Sequence, residues 1–516
     1  MDVLKESEIA HFFNGRSVFI TGATGFMGKV LVEKLLRSCP GVKTLYLLMR
    51  NKKGLAPKQR MDQLLNDKVF GRIKEENNNF SNKIVVVEGD ITVDGLGMSQ
   101  NDLNSIIENV SVIFHSAATV KFEEPLRVAI NYNILGTQRV IELAHKVHNL
   151  AALVHVSTAY ANCDRNRIDE VIYEQKITPQ QLMDAATWMS DDMIEKLLPD
   201  LLGNRPNTYT YTKAMAETLI MESCGQLPVA IVRPSIVTAA WKDPYPGWVD
   251  NINNVTGVFL ATCKGVLRTA FLESTAVLDI VPVDIVINLL IAVAWNTATK
   301  QHKDILIYNC TTGLVNPITI SDVQKWTFPL ALKYPCSEHF RYPELTLRRN
   351  RFVHSIFVAL DHYLPAYVYD WISAMTGGKR RMVSIYEKLH KATDQLVFFA
   401  TRQWQFKSIN LPELHDQLQG VDQETFCFDV RKIDWPTYLK DYYMGIRTFI
   451  LKEDISTIPS ARRKLRRLFL TNKLVEFVIY LGLAKLILYK TDLSTTLSTL
   501  LGGQTNSTIA ILTRAK

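Results

Sequence analysis

Three glycines within eight residues constrain this chain more than any other feature of it. Thr21-Gly-Ala-Thr-Gly-Phe-Met-Gly28 lies between a short apolar run, Val18–Ile20, and a stretch, Gly28–Ser38, that places Val30, Leu31, Lys34 and Leu35 on one helical face. A turn this tight needs backbone angles that glycine adopts readily, and a backbone that closely approaches a phosphate leaves no room for a side chain. The helix that follows offers unpaired N–H groups to an anion. In a strand–turn–helix setting, Gly22, Gly25 and Gly28 predict a dinucleotide pyrophosphate cradle.

The same alternation continues downstream. Apolar runs at Thr44–Met49, Ile84–Val87, Val112–Phe114, Leu153–Val156 and Val229–Val232 are separated by helical stretches that include Asn133–Lys146 and Tyr211–Glu222. Strands alternating with helices imply an α/β, Rossmann-like, doubly wound parallel sheet, and continuous apolar strands fit burial on both faces. Ala276–Val286 and Ile305–Asn309 are expected to be further strands. Beyond about Arg348 the chain turns to aromatic-rich helical segments, Phe352–Tyr369, Tyr386–Trp404 and Tyr438–Leu451. The expected division is residues 1–345 for the dinucleotide-binding domain with its substrate subdomain, 346–455 for a C-terminal helical domain, and 456–516 for a basic cluster and hydrophobic tail.

The second strand ends at Arg50, where a carboxylate would suit a free ribose and a guanidinium suits a 2′-phosphate. Arg50 therefore points to NADPH. Asp90, after the third strand, is a candidate acceptor for the adenine amino group. Tyr209 and Lys213 lie one helical turn apart on one face. A phenol titrates near about 10, and an adjacent ammonium is expected to lower that value so that the phenol can protonate a developing alkoxide. Ser157 and Thr158 end the fifth strand at the carboxyl edge of the sheet, where ligands of such sheets bind, and either hydroxyl can hold a substrate carbonyl. Tyr211 is a competing tyrosine, but Tyr209 alone has the spacing to Lys213. Cys163 has no base adjacent in sequence and reads as a small buried residue.

These motifs, with Asn133-Ile-Leu-Gly-Thr137, resemble the extended short-chain dehydrogenase/reductase superfamily. His115-Ser-Ala-Ala-Thr-Val120, His155-Val-Ser-Thr-Ala-Tyr160, Arg205–Lys213, Val232-Arg-Pro-Ser235 and Pro246–Ile252 narrow the resemblance to the alcohol-forming fatty acyl-CoA reductases of animals, from about residue 12 to about residue 450. That resemblance implies reduction of long-chain fatty acyl-CoA by NADPH to a primary fatty alcohol through an aldehyde, in wax ester or ether lipid synthesis. It implies that Thr21, Gly22, Thr24, Gly25, Phe26 and Gly28 cradle the cofactor, with Arg50 on the 2′-phosphate and Asp90 on the adenine. Ala117 and Ala118 would line the cofactor cleft, Asn133 would support a water or the lysine, and Arg233 and Pro234 would border the nicotinamide. The chemistry would fall to Thr158 or Ser157, Tyr209 and Lys213. Competing readings are an aldehyde-forming thioester reductase, a sugar-nucleotide or sterol enzyme of the superfamily, and a silent NADPH-binding scaffold at a membrane.

The seven cysteines form no CxxC pair or metal-ligand spacing, so neither a disulfide framework nor a zinc site is expected. The net charge of +8 accompanies no nucleic-acid motif. It suits polyanionic cofactors and a membrane surface better. Arg462, Arg463, Lys464, Arg466 and Arg467 precede a mostly apolar stretch, Leu468–Tyr489, which either spans a membrane or lies on one. A span would leave the catalytic part in the cytosol. The N-terminus lacks the charge-then-apolar pattern of a signal peptide. Animal relatives imply a peroxisomal membrane, although Arg514-Ala-Lys516 is not a Ser-Lys-Leu-type signal.

Overall fold

The computed structural model describes residues 7–52, 54–300 and 304–490. The tail Thr491–Lys516, with its Arg514-Ala-Lys ending, lies outside the described residues.

Seven parallel strands form the central sheet: β1 (Ser17–Thr21), β2 (Thr44–Met49), β3 (Ile84–Glu88), β4 (Val110–His115), β5 (Ala152–Val156), β6 (Val229–Pro234) and β7 (Leu306–Cys310), in the order β7-β6-β5-β4-β1-β2-β3. The chain reverses its direction of travel across the sheet between β1 and β4, and in such sheets ligands bind at the carboxyl ends of the strands beside that reversal. Side chains alternate across the sheet as strand geometry requires. Val18, Ile20, Val112, Phe114 and Val154 enter one core, while Phe19, Ile113 and Leu153 enter the other. Four helices matter to the site: α1 (Phe26–Ser38), α2 (Gly136–Lys146), α3 (Thr208–Ser223) and α4 (Val283–Lys300). α1 and α4 cover the first face, and α2 and α3 the second.

The expected strand Ala276–Val286 is mostly something else. Only Ile280–Pro282 is extended, and Val283 opens α4. Ile285, Val286, Ile287, Ile291 and Ala292 are buried all round that helix, so its sequence shows no amphipathic period and a short window resembles a buried strand. Among the described residues α4 is also the one helix long and apolar enough to cross a membrane, but it is a core helix against the sheet.

The C-terminal region contains the expected helices, but part of it belongs to the first core. Leu411, Leu414, Phe428, Trp435, Tyr438 and Tyr442 pack in the same cluster as α1, α4 and the sheet. Gln405–Phe406 pairs in parallel with Arg167–Ile168. The segment that stands apart comprises α5 (Arg351–Phe357), α6 (Leu364–Met375) and α7 (Met382–Ala400). The described residues end in α8 (Ile458–Lys490), which contains the apolar stretch anticipated at Leu468–Tyr489.

Under the carboxyl edge of the sheet lies a buried ion pair. Glu217 of α3 accepts from Arg233 of β6 at 2.7 Å, with both side chains out of solvent, and from Ser157 at 2.5 Å. Removing one partner of such a pair leaves a bare buried charge. Glu217→Leu is therefore expected to lose about 3–5 kcal/mol of stability, read as a lower denaturant midpoint at unchanged slope.

Candidate active site

Gly22 has φ +80°, and a Cβ there would stand 2.8 Å from the Ala117 nitrogen and the Ser116 Oγ. A Cβ at Gly28 would stand 2.2 Å from the Gly22 carbonyl oxygen. At each position the added carbon meets backbone, at Ala117 and at Gly22, so the loop closes only as glycine. Gly25 caps α1 without any side-chain hydrogen bond to the first turn. The first N–H groups of α1 thus have no capping side chain, as an anion-binding helix start requires.

The other loop residues divide by atom. The Thr21 hydroxyl is buried, shared between His115 Nδ1 at 2.8 Å and the Ala117 N–H at 3.3 Å. Its role is to hold the β1 and β4 loop ends together, with Ala117 and Ala118 beside them. Thr24 accepts from Arg60 at 2.7 Å, and Phe26 stacks on Trp248 with centroids 5.4 Å apart. Arg50 lies at the end of β2 and donates to the Tyr132 hydroxyl at 2.6 Å and to Asp90 at 3.1 Å. The other Asp90 oxygen accepts from the N–H and hydroxyl of Thr92. Asp90 is thus a brace for Arg50 and its own loop.

Three of the four expected catalytic residues converge. Asn207 starts α3, its side chain accepting from the Thr210 N–H at 2.9 Å. Tyr209 in the first turn hydrogen-bonds Thr158. Lys213, one turn later, is buried and donates to the Val156 carbonyl at 2.7 Å, at the end of β5. Burial holds the Lys213 ammonium down at about 8, opposed by the carboxylate of Glu217.

Several expectations need correction. Ser157 donates to Glu217, so its hydroxyl is taken up beneath the site and Thr158 is the one facing Tyr209. Arg233 does not reach the cleft. Its guanidinium is fully buried between Glu217 and the carbonyls of Asp169 and Val171. The neighbouring Pro234 acts through its carbonyl, which accepts from Thr158 at 3.5 Å. Asn133 sits in a π turn, Ile130–Leu135, and bonds both main-chain groups of Thr119 and the hydroxyl of Thr212, so it fixes the loop after β4 and the back of α3 instead of touching the lysine. The Tyr209 phenol is pushed up to about 12 by burial, with the Thr158 bond pulling it back. Lys213 does not lower it, and the phenol keeps its proton at neutral pH. Tyr211 is buried in the helical core and Cys163 is a buried thiol held up at about 12, so neither competes for the chemistry.

Known proteins carry the same arrangement of chain. A family model described as male sterility protein matches residues 20–290, and a second with that description matches 361–453. Human fatty acyl-CoA reductase 1 is 42% identical over 460 residues, 89% of each chain. Mouse fatty acyl-CoA reductase 2 is 39% identical over 488 residues, 95% of each chain. This chain belongs to the fatty acyl-CoA reductase family. Among solved structures, the terminal reductase domain of the myxalamid biosynthetic pathway covers 84% of the reductase and 91% of its own length, with TM-score 0.56 and 20% identity. A reductase domain of a nonribosomal peptide synthetase from Mycobacterium tuberculosis has the same TM-score at 19% identity, covering 84% of the reductase and 92% of its own length. At those identities the likeness is one of fold.

The structure adds site residues to the reductase that the sequence pattern did not single out. Arg60, in the helix Pro57–Leu65, donates to the Arg50 carbonyl at 2.6 Å and to Thr24, so two guanidiniums border the loop. Burial and the Arg50 charge both lower the Arg60 pKa. Only the fold brings Arg60 there. On the other side of Tyr209, Phe122 lies 6.0 Å away, and Phe399 of α7 is 5.7 Å from Phe122 and 5.0 Å from Tyr160. Tyr160 and Phe399 line an apolar chamber together with Phe259, Leu278, Ala331 and Tyr443. A nicotinamide dinucleotide fits the glycine cradle at β1.

Because the contact at Gly28 is with backbone, Gly28→Ala is expected to weaken dinucleotide binding at least about tenfold, roughly 1.4 kcal/mol, while circular dichroism stays native. Binding measured by fluorescence titration checks this, and unchanged affinity would remove the loop from the cofactor site.

Proposed function

We propose that this chain is an NADPH-dependent, alcohol-forming fatty acyl-CoA reductase acting on long-chain acyl groups. One observation carries the reading: the Thr158–Tyr209–Lys213 group stands at the carboxyl edge of the sheet that holds the glycine cradle, and Phe122 links Tyr209 to Phe399 of the apolar chamber. Arg50 and Arg60 would hold the 2′-phosphate, since two neighbouring cations with one lowered by the other favour an anion between them. NADPH, when bound, supplies a hydride to the acyl carbonyl in each of two successive reductions. Thr158 and Tyr209 hydrogen-bond the carbonyl oxygen and stabilise charge as it develops there. Tyr209, protonated at neutral pH, donates its proton to that oxygen. Lys213 is the cation beside them, fixed on the Val156 carbonyl. After the first reduction the new hydroxyl returns its proton to the Tyr209 phenolate as the carbon–sulfur bond breaks, leaving the aldehyde and CoA as its thiolate, with Tyr209 protonated again for the second reduction. The aldehyde stays in the chamber for the second.

The reading extends to a tether. The first turns of α8 are docked through Ile458, Ala461 and Leu465, whereas Leu470, Leu474, Phe477, Leu481 and Leu486 are exposed beyond the basic cluster. A largely apolar helix that is bare beyond its docked turns suits a membrane, with the basic residues on the cytosolic side.

Incubation of the purified full chain in detergent with NADPH and palmitoyl-CoA is expected to yield hexadecanol with two NADPH oxidised per CoA released. Hexadecanal with one NADPH would retain the site and correct the product, and no turnover would reject the activity. Tyr209→Phe is expected to abolish most turnover with cofactor binding retained. Arg60→Leu is expected to raise the KM for NADPH more than that for NADH.

The pH dependence follows from Lys213. Its ammonium is present below about 8 and lost above it, while Tyr209 stays protonated throughout. His115 is held down at about 3 by burial and stays neutral. The ratio kcat/KM is therefore expected to fall as pH rises through about 8, and Lys213→Arg to remove that limb from whatever activity remains. A profile flat to pH 10 would separate Lys213 from the rate.

A further inference from the structure

α5, a π turn at Val358–Tyr363 and α6 follow one another without a break, the residues at both junctions being in the right-handed helical region. They form one rod roughly 37 Å long. Phe352, Ile356, Leu360, Leu364, Tyr367, Val368, Trp371, Ile372 and Met375 recur along it at steps of three and four. Such a stripe normally faces a core. Here it faces outward: Phe352 is 76% exposed, Trp371 61% and Met375 71%. The opposite side is what packs. His362 is buried and accepts from the backbone N–H groups of Arg268 and Thr269, and Ala366 is buried. Asp370 accepts from the N–H groups of Arg381, Met382 and Val383, capping α7. The rod is thus pinned by its polar side with its apolar side turned out.

We propose that this stripe is an in-plane docking surface for a lipid bilayer with anionic headgroups. Charge favours that occupant. Arg351 at one end and Lys379, Arg380 and Arg381 at the other are exposed, so cations bracket the apolar stripe as they do on interfacial helices. Continuity favours it as well. The segment leading into the rod carries Tyr342, whose ring lies 5.1 Å from Phe469 at the start of the bare part of α8. The inference extends the tether reading, and its test separates the two.

All seven native cysteines are buried, so an introduced surface cysteine can be labelled selectively. Full-length Trp371→Cys and Met375→Cys, with Asp94→Cys as a remote exposed control, would carry an environment-sensitive fluorophore. Each would be reconstituted into phosphatidylcholine vesicles with and without phosphatidylserine. The expected result is a blue shift, loss of iodide quenching and quenching by nitroxide-labelled acyl chains at 371 and 375 but not at 94. The effect should be stronger with phosphatidylserine, and Lys379→Gln/Arg380→Gln/Arg381→Gln should remove that increment. Labels at 371 and 375 that stay open to iodide on vesicle-bound protein would overturn the proposal and leave the tether standing. Failure to float with vesicles would reject both. Protection from iodide without nitroxide quenching would assign the stripe to a second copy of the chain, and equal protection without phosphatidylserine would overturn the anionic preference.

Discussion

Everything in the active site depends on one face of α3. Tyr209, Lys213 and Glu217 follow at intervals of four, so they stand one above another along the helix. Each does something different. Glu217 is clamped to Arg233 and Ser157, which ties the helix to β6 and to the end of β5. Lys213 is tied to the Val156 carbonyl on the same strand. With two successive turns fixed, Tyr209 in the first turn is held against Thr158. The chemistry needs an oxygen positioned within a fraction of an ångström, and the buried pair below supplies that rigidity. The arrangement also explains why the strand carries adjacent hydroxyls. Ser157 serves the clamp and Thr158 serves the substrate side.

Electrostatics at the site follow from burial. Desolvation raises the phenol and lowers the ammonium, so burial favours each neutral form. A phenol at about 12 keeps its proton at neutral pH yet is still a stronger acid than an alcohol, which matches a step that ends in an alcohol oxygen. The expectation that the lysine primes the tyrosine treats the pair as if helical spacing alone were coupling. Lys213 instead points its charge at a backbone carbonyl. At the far end of the cofactor cleft the pattern inverts, with Arg50 and Arg60 close together and anion-seeking.

The α/β alternation, the glycine cradle, and the Tyr209–Lys213 spacing were legible because each is a local rule: a period, a turn, one helical turn. What was not legible is what the fold brings together from a distance. Arg233 looks from sequence like a cleft residue because it ends a strand at the right edge, yet strand alternation turns it inward to Glu217. Arg60 sits in an unremarkable polar helix and gains its place only when that helix packs beside Thr24. α4 escaped because a helix buried on all sides has no period to read. The aromatic helices after Arg348 were visible as helices, but periodicity alone does not tell whether an apolar stripe is covered or bare.

A long-chain thioester sets two opposed demands, since its CoA half is polyanionic and its acyl half avoids water at about 0.8 kcal/mol per CH2. A free path through solvent from a bilayer to Tyr209 would meet that cost over the whole chain. Here the chamber and the apolar rod are joined through neighbouring segments of chain. Leu345 and Leu347 line the chamber and lie just before Arg351, where the rod begins. Leu396, Phe399 and Ala400 line it from α7, whose first turn is capped by Asp370 of the rod. A bilayer against the rod would therefore rest on segments continuous in chain with the chamber lining, which suits a substrate whose acyl half avoids water.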